Sequence, residues 1–313
     1  MRLAVAAFLL LLTQPLFGAT WAPLAPVITP RQEVAVTEAN GKIYLIGGIG
    51  DGLVLSSVEE YDPLTNRWRF VAPLPEPLHH SAAATVDGVI YLVGGYRTLS
   101  FIATDSVYRY EPLLDRWTKV ASLPAPRGAL AAAALNGRVY AVGGVPGLTS
   151  FTMYDPAADT WTTLPSMPTG REHLAVAAAA GRIYAISGRR GGNLAAVEEF
   201  DPAMNRWQAV APIPTARSGI AAANVGSRIY VFGGEGNPNR SDGVFPQVES
   251  FDAITGAWRT EPMMPTPRHG IAAAAINGTI YVPAGATVQG FGTSAVHDAL
   301  FTSEPLRRRA VRR

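Results

Sequence analysis

Apolar residues fall along this chain in short runs broken by turn residues, and the whole arrangement recurs. The third unit shows the pattern. Leu130 to Leu135 is an apolar run, Asn136-Gly137 interrupts it, and Arg138 to Val142 is rich in β-branched and aromatic residues. Gly143-Gly144 ends that run, Ser150 to Tyr154 forms a third, Asp155-Pro156 turns the chain, and Trp161 opens a fourth. Runs of this length and composition, bounded by Gly, Pro, Asn and Asp, predict strands. Asn-Gly supplies the two positive φ angles of a type I′ hairpin turn. The same turn chemistry stands at Asn40-Gly41, Asp87-Gly88 and Asn277-Gly278. Each unit therefore predicts four short antiparallel strands.

Six units stand in register. An arginine column falls at Arg31, Leu78 (the one departure), Arg127, Arg171, Arg217 and Arg268, at intervals of 47, 49, 44, 46 and 51 residues. A tyrosine column follows at Tyr44, Tyr91, Tyr140, Tyr184, Tyr230 and Tyr281. Glycine doublets come next, at Gly47-Gly48, Gly94-Gly95, Gly143-Gly144 and Gly233-Gly234, with Ser187-Gly188 and Ala284-Gly285 as variants. Trp68, Trp117, Trp161, Trp207 and Trp258 end five of the units. First strands carry alanine runs: Ala82 to Ala84, Ala131 to Ala134, Ala177 to Ala180, Ala221 to Ala223 and Ala272 to Ala275. Alanine favours helix in isolation, but these runs are short and meet hairpin turns. Residues this small fit where sheets converge on an axis, and tryptophans fit where the gaps between sheets widen. The fold class predicted is all-β, a six-bladed β-propeller of four-stranded antiparallel blades. The sixth unit reaches a third strand near Val296–Phe301 and lacks a Trp, whereas the segment around Trp21 matches the register of Trp68. That segment is expected to supply the outer strand of the last blade, which removes the free seam of the ring.

The Gly-Gly doublets, Tyr61-Asp62-Pro63, Tyr154-Asp155-Pro156, Phe200-Asp201-Pro202 and the spaced tryptophans resemble the kelch repeat, over roughly residues 20–304. The resemblance implies a non-catalytic module that recognises a protein or glycan through loops at one propeller face. A more distant similarity to secreted sialic-acid mutarotases, which have six kelch-like blades, implies the alternative of a cofactor-free sugar mutarotase or epimerase. Galactose-oxidase-like relatives use copper and a Tyr cross-linked to Cys; with no cysteine in the chain, that chemistry is excluded.

Composition adds bounds. The absence of Cys also rules out disulfides, thiolate zinc and iron–sulfur clusters. The formal charge of +2 includes Arg2 and the five arginines at 307–309 and 312–313; setting those six cations aside leaves −4. A mildly acidic body gives no electrostatic reason to bind nucleic acid. Residues 1–19 read as a signal peptide: Arg2, then an apolar run from Leu3 to Leu12 that is too short to span a bilayer. Residues 20–306 are expected to form the propeller, and 307–313 a basic disordered tail. The expectation is a secreted or periplasmic monomer, with no integral membrane segment once the leader is removed.

Function in a propeller sits on loops at one face, around the mouth of the axial channel. Here the loops leading into each first strand carry the arginine column and the residues after it. Arg31, Arg127, Arg171, Arg217 and Arg268 repeat with the fold, which favours packing at blade junctions over a guanidinium ring for carboxylates. His79, His80, His173 and His269, with Glu33 and Glu172, break the symmetry and read as a polar binding rim. Alternate blades lie on different sides of a channel, so these groups are expected to stay apart. No metal, cofactor or catalytic residue is assigned. Arg189-Arg190-Gly191-Gly192 reads as a flexible basic loop and Glu235 to Gly243 as an exposed turn-rich one. Tyr96, Phe101, Phe245 and Phe291 are expected to be exposed aromatics of the variable loops.

Overall fold

The structure, a computed structural model, describes residues 18–303. Of the expected signal peptide (1–19), residues 1–17 lie outside the described residues, as does the expected basic tail at 307–313. Six four-stranded antiparallel sheets stand around one axis. Blade one comprises Ala35–Ala39, Lys42–Ile46, Val58–Asp62 and Arg67–Val71, counted from the axis outward. Blade three comprises Ala131–Leu135, Arg138–Val142, Phe151–Asp155 and Thr160–Thr163. There Ala133 faces Tyr140, Tyr140 faces Met153, and Tyr154 faces Trp161 across the ladders. Among the described residues no helix occurs.

In the sixth sheet the order from the outside is Thr20–Pro23, His297–Phe301, Thr279–Pro283 and Ala274–Ile276. Trp21 pairs with Leu300 and stands edge-on to Phe232 of blade five at 5.8 Å. Two alanine runs differ from the sequence expectation. Ala180 lies in the hairpin turn with φ of 49°, because Gly181 alone cannot supply both positive φ angles. Ala272 and Ala273 precede the first strand of blade six.

Two periodic devices hold blade to blade. Each Trp Nε1–H donates to a carbonyl of the preceding blade: Trp68 to Ala25, Trp117 to Ala72, Trp161 to Ala121, Trp207 to Pro165, Trp258 to Ala211 and Trp21 to Pro262, all at 2.8–3.0 Å. The first glycine of each doublet faces a carbonyl of the next blade. A Cβ at Gly47, Gly94, Gly143 or Gly233 would lie 2.2–2.5 Å from the carbonyl oxygen of Leu78, Arg127, Arg171 or Arg268. In blade four the equivalent residue is Ser187, held at φ 53°, and its hydroxyl bonds the facing Arg217 carbonyl at 2.6 Å.

The first strands leave an axial channel walled mainly by small residues. It holds a cavity of about 150 Å³ under the face that carries the arginine-column loops and one of about 340 Å³ toward the opposite face.

Candidate functional site

The mouth of the smaller cavity is built from one position per blade, two residues past the arginine column: Glu33, His80, Ala129, His173, Gly219 and Gly270. All six take a left-handed conformation, with φ between 50° and 65°. Four of them are not glycine, so the conformation is held by its surroundings. The holding device is a closed ring of backbone hydrogen bonds. Each amide donates to the equivalent carbonyl of the preceding blade: His80 to Glu33, Ala129 to His80, His173 to Ala129, Gly219 to His173, Gly270 to Gly219 and Glu33 to Gly270, at 2.7–3.0 Å.

This ring reverses one expectation. Glu33, His80 and His173 come from blades one, two and four, yet each offers a ligand atom within 4.8 Å of the others. The channel is narrow because its strands carry small residues, and the ring aims these side chains at the axis. His80 and His173 meet edge-on at 4.9 Å, and His80 Nε2 lies 3.1 Å from a Glu33 carboxylate oxygen. The two glycines leave the space: a Cβ on Gly270 would lie 2.6 Å from Glu33 Oε1.

A second layer orients the first. His79 places Nε2 2.9 Å from the Thr98 carbonyl and Nδ1 2.6 Å from His80 Nδ1. His269 places Nε2 2.9 Å from the Val288 carbonyl. Its Nδ1 has no hydrogen-bond partner and lies 3.7 Å from Glu33 and 3.5 Å from Glu235. Glu172 accepts from His173 Nδ1 and from Arg189 Nε at 2.7 Å. Arg189 also reaches Glu235 at 2.5 Å. Burial lowers the basicity of His80 well below that of a free imidazole, and the neighbouring His173 and His79 reinforce this. Burial likewise lowers His79. Burial acts to raise the Glu172 carboxyl, but hydrogen bonds and charge from His173 and Arg189 outweigh it and hold it at about 2.

The arginine column lies elsewhere. Arg31, Arg127, Arg171, Arg217 and Arg268 are at most 2% exposed and do not line the channel. Each bonds backbone carbonyls of its own blade, as Arg217 does to Gly233 at 2.8 Å. Four of them pair with a carboxylate on the third strand: Glu59, Glu198, Glu249 and Asp298. Arg127 finds only the Thr152 hydroxyl, at 2.7 Å, and burial pushes its guanidinium down to about 10. Where Leu78 replaces the arginine, Tyr108 replaces the acid.

Comparison with known proteins follows this architecture. The kelch motif matches residues 30–75, 77–124, 126–168 and 216–265, more than half of the chain. The chain belongs to the kelch-repeat family. Within this kelch propeller the four matched segments are blades one, two, three and five. The other two carry Ser187 or Ala284 where those four have a first glycine.

An F-box/kelch-repeat protein of Arabidopsis thaliana is 47% identical over 47 residues, 15% of this chain and 11% of that protein. The human Kelch-like protein 4 is 38% identical over 52 residues, 17% of this chain and 7% of that one. The similarity thus spans about one blade and a small part of each relative's length. The solved structure of YjhT superposes with a TM-score of 0.75 at 19% identity, covering 90% of this chain and 97% of that one. It shares the fold.

Sequence reasoning found Glu33, His79, His80, Glu172, His173 and His269, and missed Arg189 and Glu235. Arg189 is not part of a loose basic loop; both Glu172 and Glu235 grip it. The overlooked signal is position. Both residues directly follow the glycine doublet or its variant, and there the backbone bridges to the residue after the arginine column, Glu172 to Arg189 and Ser218 to Glu235. Tyr96, at the same place in blade two, is buried rather than exposed, as is Phe245, whereas Phe101 and Phe291 stand out in solvent.

Proposed function

We propose that this kelch propeller is a non-catalytic recognition module, acting outside the cytoplasm as a monomer, that seats a partner on the loop face around the channel mouth. The observation that carries this is an arc of exposed apolar side chains on three adjacent blades. Leu53 belongs to blade one, Leu99, Phe101 and Ile102 to blade two, and Val288 and Phe291 to blade six; all are 42–66% exposed. The buried layer anchors two of these loops, through His79 to Thr98 and His269 to Val288. Apolar side chains grouped beside a polar rim mark interaction surfaces. The aliphatic members offer a sugar ring no flat face for stacking, which favours a protein partner over a glycan.

Crosslinking and capture from an envelope extract, run beside a glycan array, tests this reading. Leu99→Glu/Ile102→Glu is expected to abolish capture while leaving the melting temperature unchanged. Capture that persists in that variant, or binding confined to the glycan array, counts against it. A second reading, sugar mutarotation, draws on the His80 and Glu33 contact at 3.1 Å, which sets an acid beside a base. Against it, Arg189 is committed to two carboxylates and the five column arginines are buried, so none of these six guanidinium groups is free to take a sugar acid. Proton NMR of a pure sialic-acid anomer decides the point; equilibration at the uncatalysed rate eliminates this second reading.

A further inference from the structure

The buried imidazoles at the mouth carry a second consequence, independent of any partner on the loops above. Carbonyl oxygens only accept hydrogen bonds, so they fix where ring protons sit. The Thr98 carbonyl holds His79 as the Nε2–H form. Neutral His79 then offers a bare Nδ1, so the short contact to His80 requires the proton on His80 Nδ1. Neutral His80 is left with a bare Nε2, facing a carboxylate oxygen of Glu33 at 3.1 Å. His173 gives its Nδ1 proton to Glu172, which leaves Nε2 without a ring proton, with Arg189 Nη2 at 3.3 Å from it. The Val288 carbonyl holds His269 as the Nε2–H form, and the bare Nδ1, on a residue 1% exposed, is aimed between Glu33 and Glu235 without a donor.

On His80 and His269 the ring nitrogen left over by these bonds thus faces carboxylates with no proton assigned between them. Such an arrangement repels unless a proton or a metal cation sits within it. Glu33, Glu172 and Glu235 counted against Arg189 leave a formal charge of −2 in the cluster, the charge that one divalent ion balances. Two imidazole nitrogens and a carboxylate are ligands of intermediate softness, suited to zinc and its neighbours rather than to magnesium or calcium. Both ligand imidazoles also have the outer support that metal-bound histidines have, a fixed partner on the other ring nitrogen. For His173 it is Glu172, and for His80 it is His79.

We propose that the mouth of the axial channel is a transition-metal site in which Glu33, His80 and His173 ligate a Zn²⁺-type divalent ion, with His269 Nδ1 beside it as a fourth ligand and third nitrogen donor. Tetrahedral zinc with bonds of about 2.0 Å sets its ligand atoms about 3.3 Å apart. Glu33 and His80 already stand at 3.1 Å, and the remaining separations, within 4.8 Å, close by about 1.5 Å or less through side-chain rotation. The rigid backbone ring keeps the three chains in place while this happens.

The test uses the full chain without an affinity tag, stripped with a chelator and titrated with ZnCl₂ by calorimetry. One equivalent of Zn²⁺ is expected to bind and to raise the melting temperature. Glu33→Gln and His173→Asn are each expected to weaken binding by more than ~100-fold, and Glu172→Gln, which only positions His173, by about 10–100-fold. Co²⁺ gives a readout that does not depend on stability: its visible absorption is expected in the wild-type chain and absent from Glu33→Gln. Circular dichroism identifies any variant that fails to fold, and His80→Gln then takes its place. A wild-type chain that takes up neither ion, or folded variants that bind like wild type, overturns the proposal.

Discussion

Arg127 and Arg217 occupy the same place in blades three and five but face different partners, which makes them a matched pair. Arg217 is fully buried and pairs with Glu249, itself 4% exposed. Substituting Arg217→Met strands that carboxylate, and breaking a buried pair in this way costs about 3–5 kcal/mol. Glu249 keeps a hydrogen bond from Thr215 Oγ1 at 2.8 Å, which places the expected loss near the lower figure, about 3 kcal/mol. Arg127→Met strands no acid. It frees the Gly143 and Ser150 carbonyls and the Thr152 hydroxyl, and the Ser150 carbonyl still accepts the Gly143 amide at 2.8 Å. Removing Arg127 also removes a desolvated charge, so the expected loss is about 1 kcal/mol. Replacing both members of a buried pair by apolar residues is close to neutral, so Arg217→Met/Glu249→Leu is expected to recover most of the loss. Urea denaturation followed by tryptophan fluorescence, with circular dichroism to check that both probes report one transition, measures all three. Equal losses for the two single variants, or a double variant no better than Arg217→Met, would refute the argument that the counter-ion makes the difference.

Other perturbations test the remaining parts of the frame. Trp21→Ala removes a half-buried ring and its bond to Pro262; a loss of about 2–3 kcal/mol in chemical denaturation is expected, and an unchanged midpoint would show that the first strand does not stabilise the ring. His297 is buried, donates Nδ1–H to the Ala25 carbonyl, and burial depresses it to about 3. The unfolded chain therefore takes up this proton near the ordinary pKa of 6.5 while the folded chain does not, so stability falls as pH drops from 6.5 toward 3. The share from His297 is about 2 kcal/mol at pH 5, and a His297→Gln variant that keeps the full pH slope between pH 7 and 5 speaks against this assignment. Gly233→Ala drives a Cβ to 2.2 Å from the Arg268 carbonyl and is expected to lower the melting temperature by several degrees, whereas Ser187→Gly, which loses the hydroxyl's bonds to the Arg217 carbonyl and from the Arg217 amide but relieves a left-handed serine, is expected to lower it less; a reversed order in calorimetry contradicts the packing account.

Most of the frame was legible because six copies of one pattern reinforce each other. The arginine, tyrosine, glycine and tryptophan columns gave the blade number and strand order, and Trp21 fell in register with Trp68. Strand limits were less legible at Ala180 and Ala272, where alanine satisfies turn and strand alike. The histidines stood out because they interrupt a repeated column. Their meeting did not, because it depends on a left-handed conformation that the sequence advertises only at Gly219 and Gly270 and conceals at Glu33, His80, Ala129 and His173. Arg189 and Glu235 were hidden for a different reason: loops read by composition say nothing about which single position turns inward.

The closed ring of six amide bonds has an electrostatic consequence. In a helix, peptide dipoles point the same way and add into a field at its end. Here they run head to tail around a circle, so their in-plane components cancel. The hoop therefore adds no in-plane pole of its own, and the sign of the field met by an arriving ligand is set by side chains: Glu33 on the hoop, and Glu172, Arg189 and Glu235 behind it.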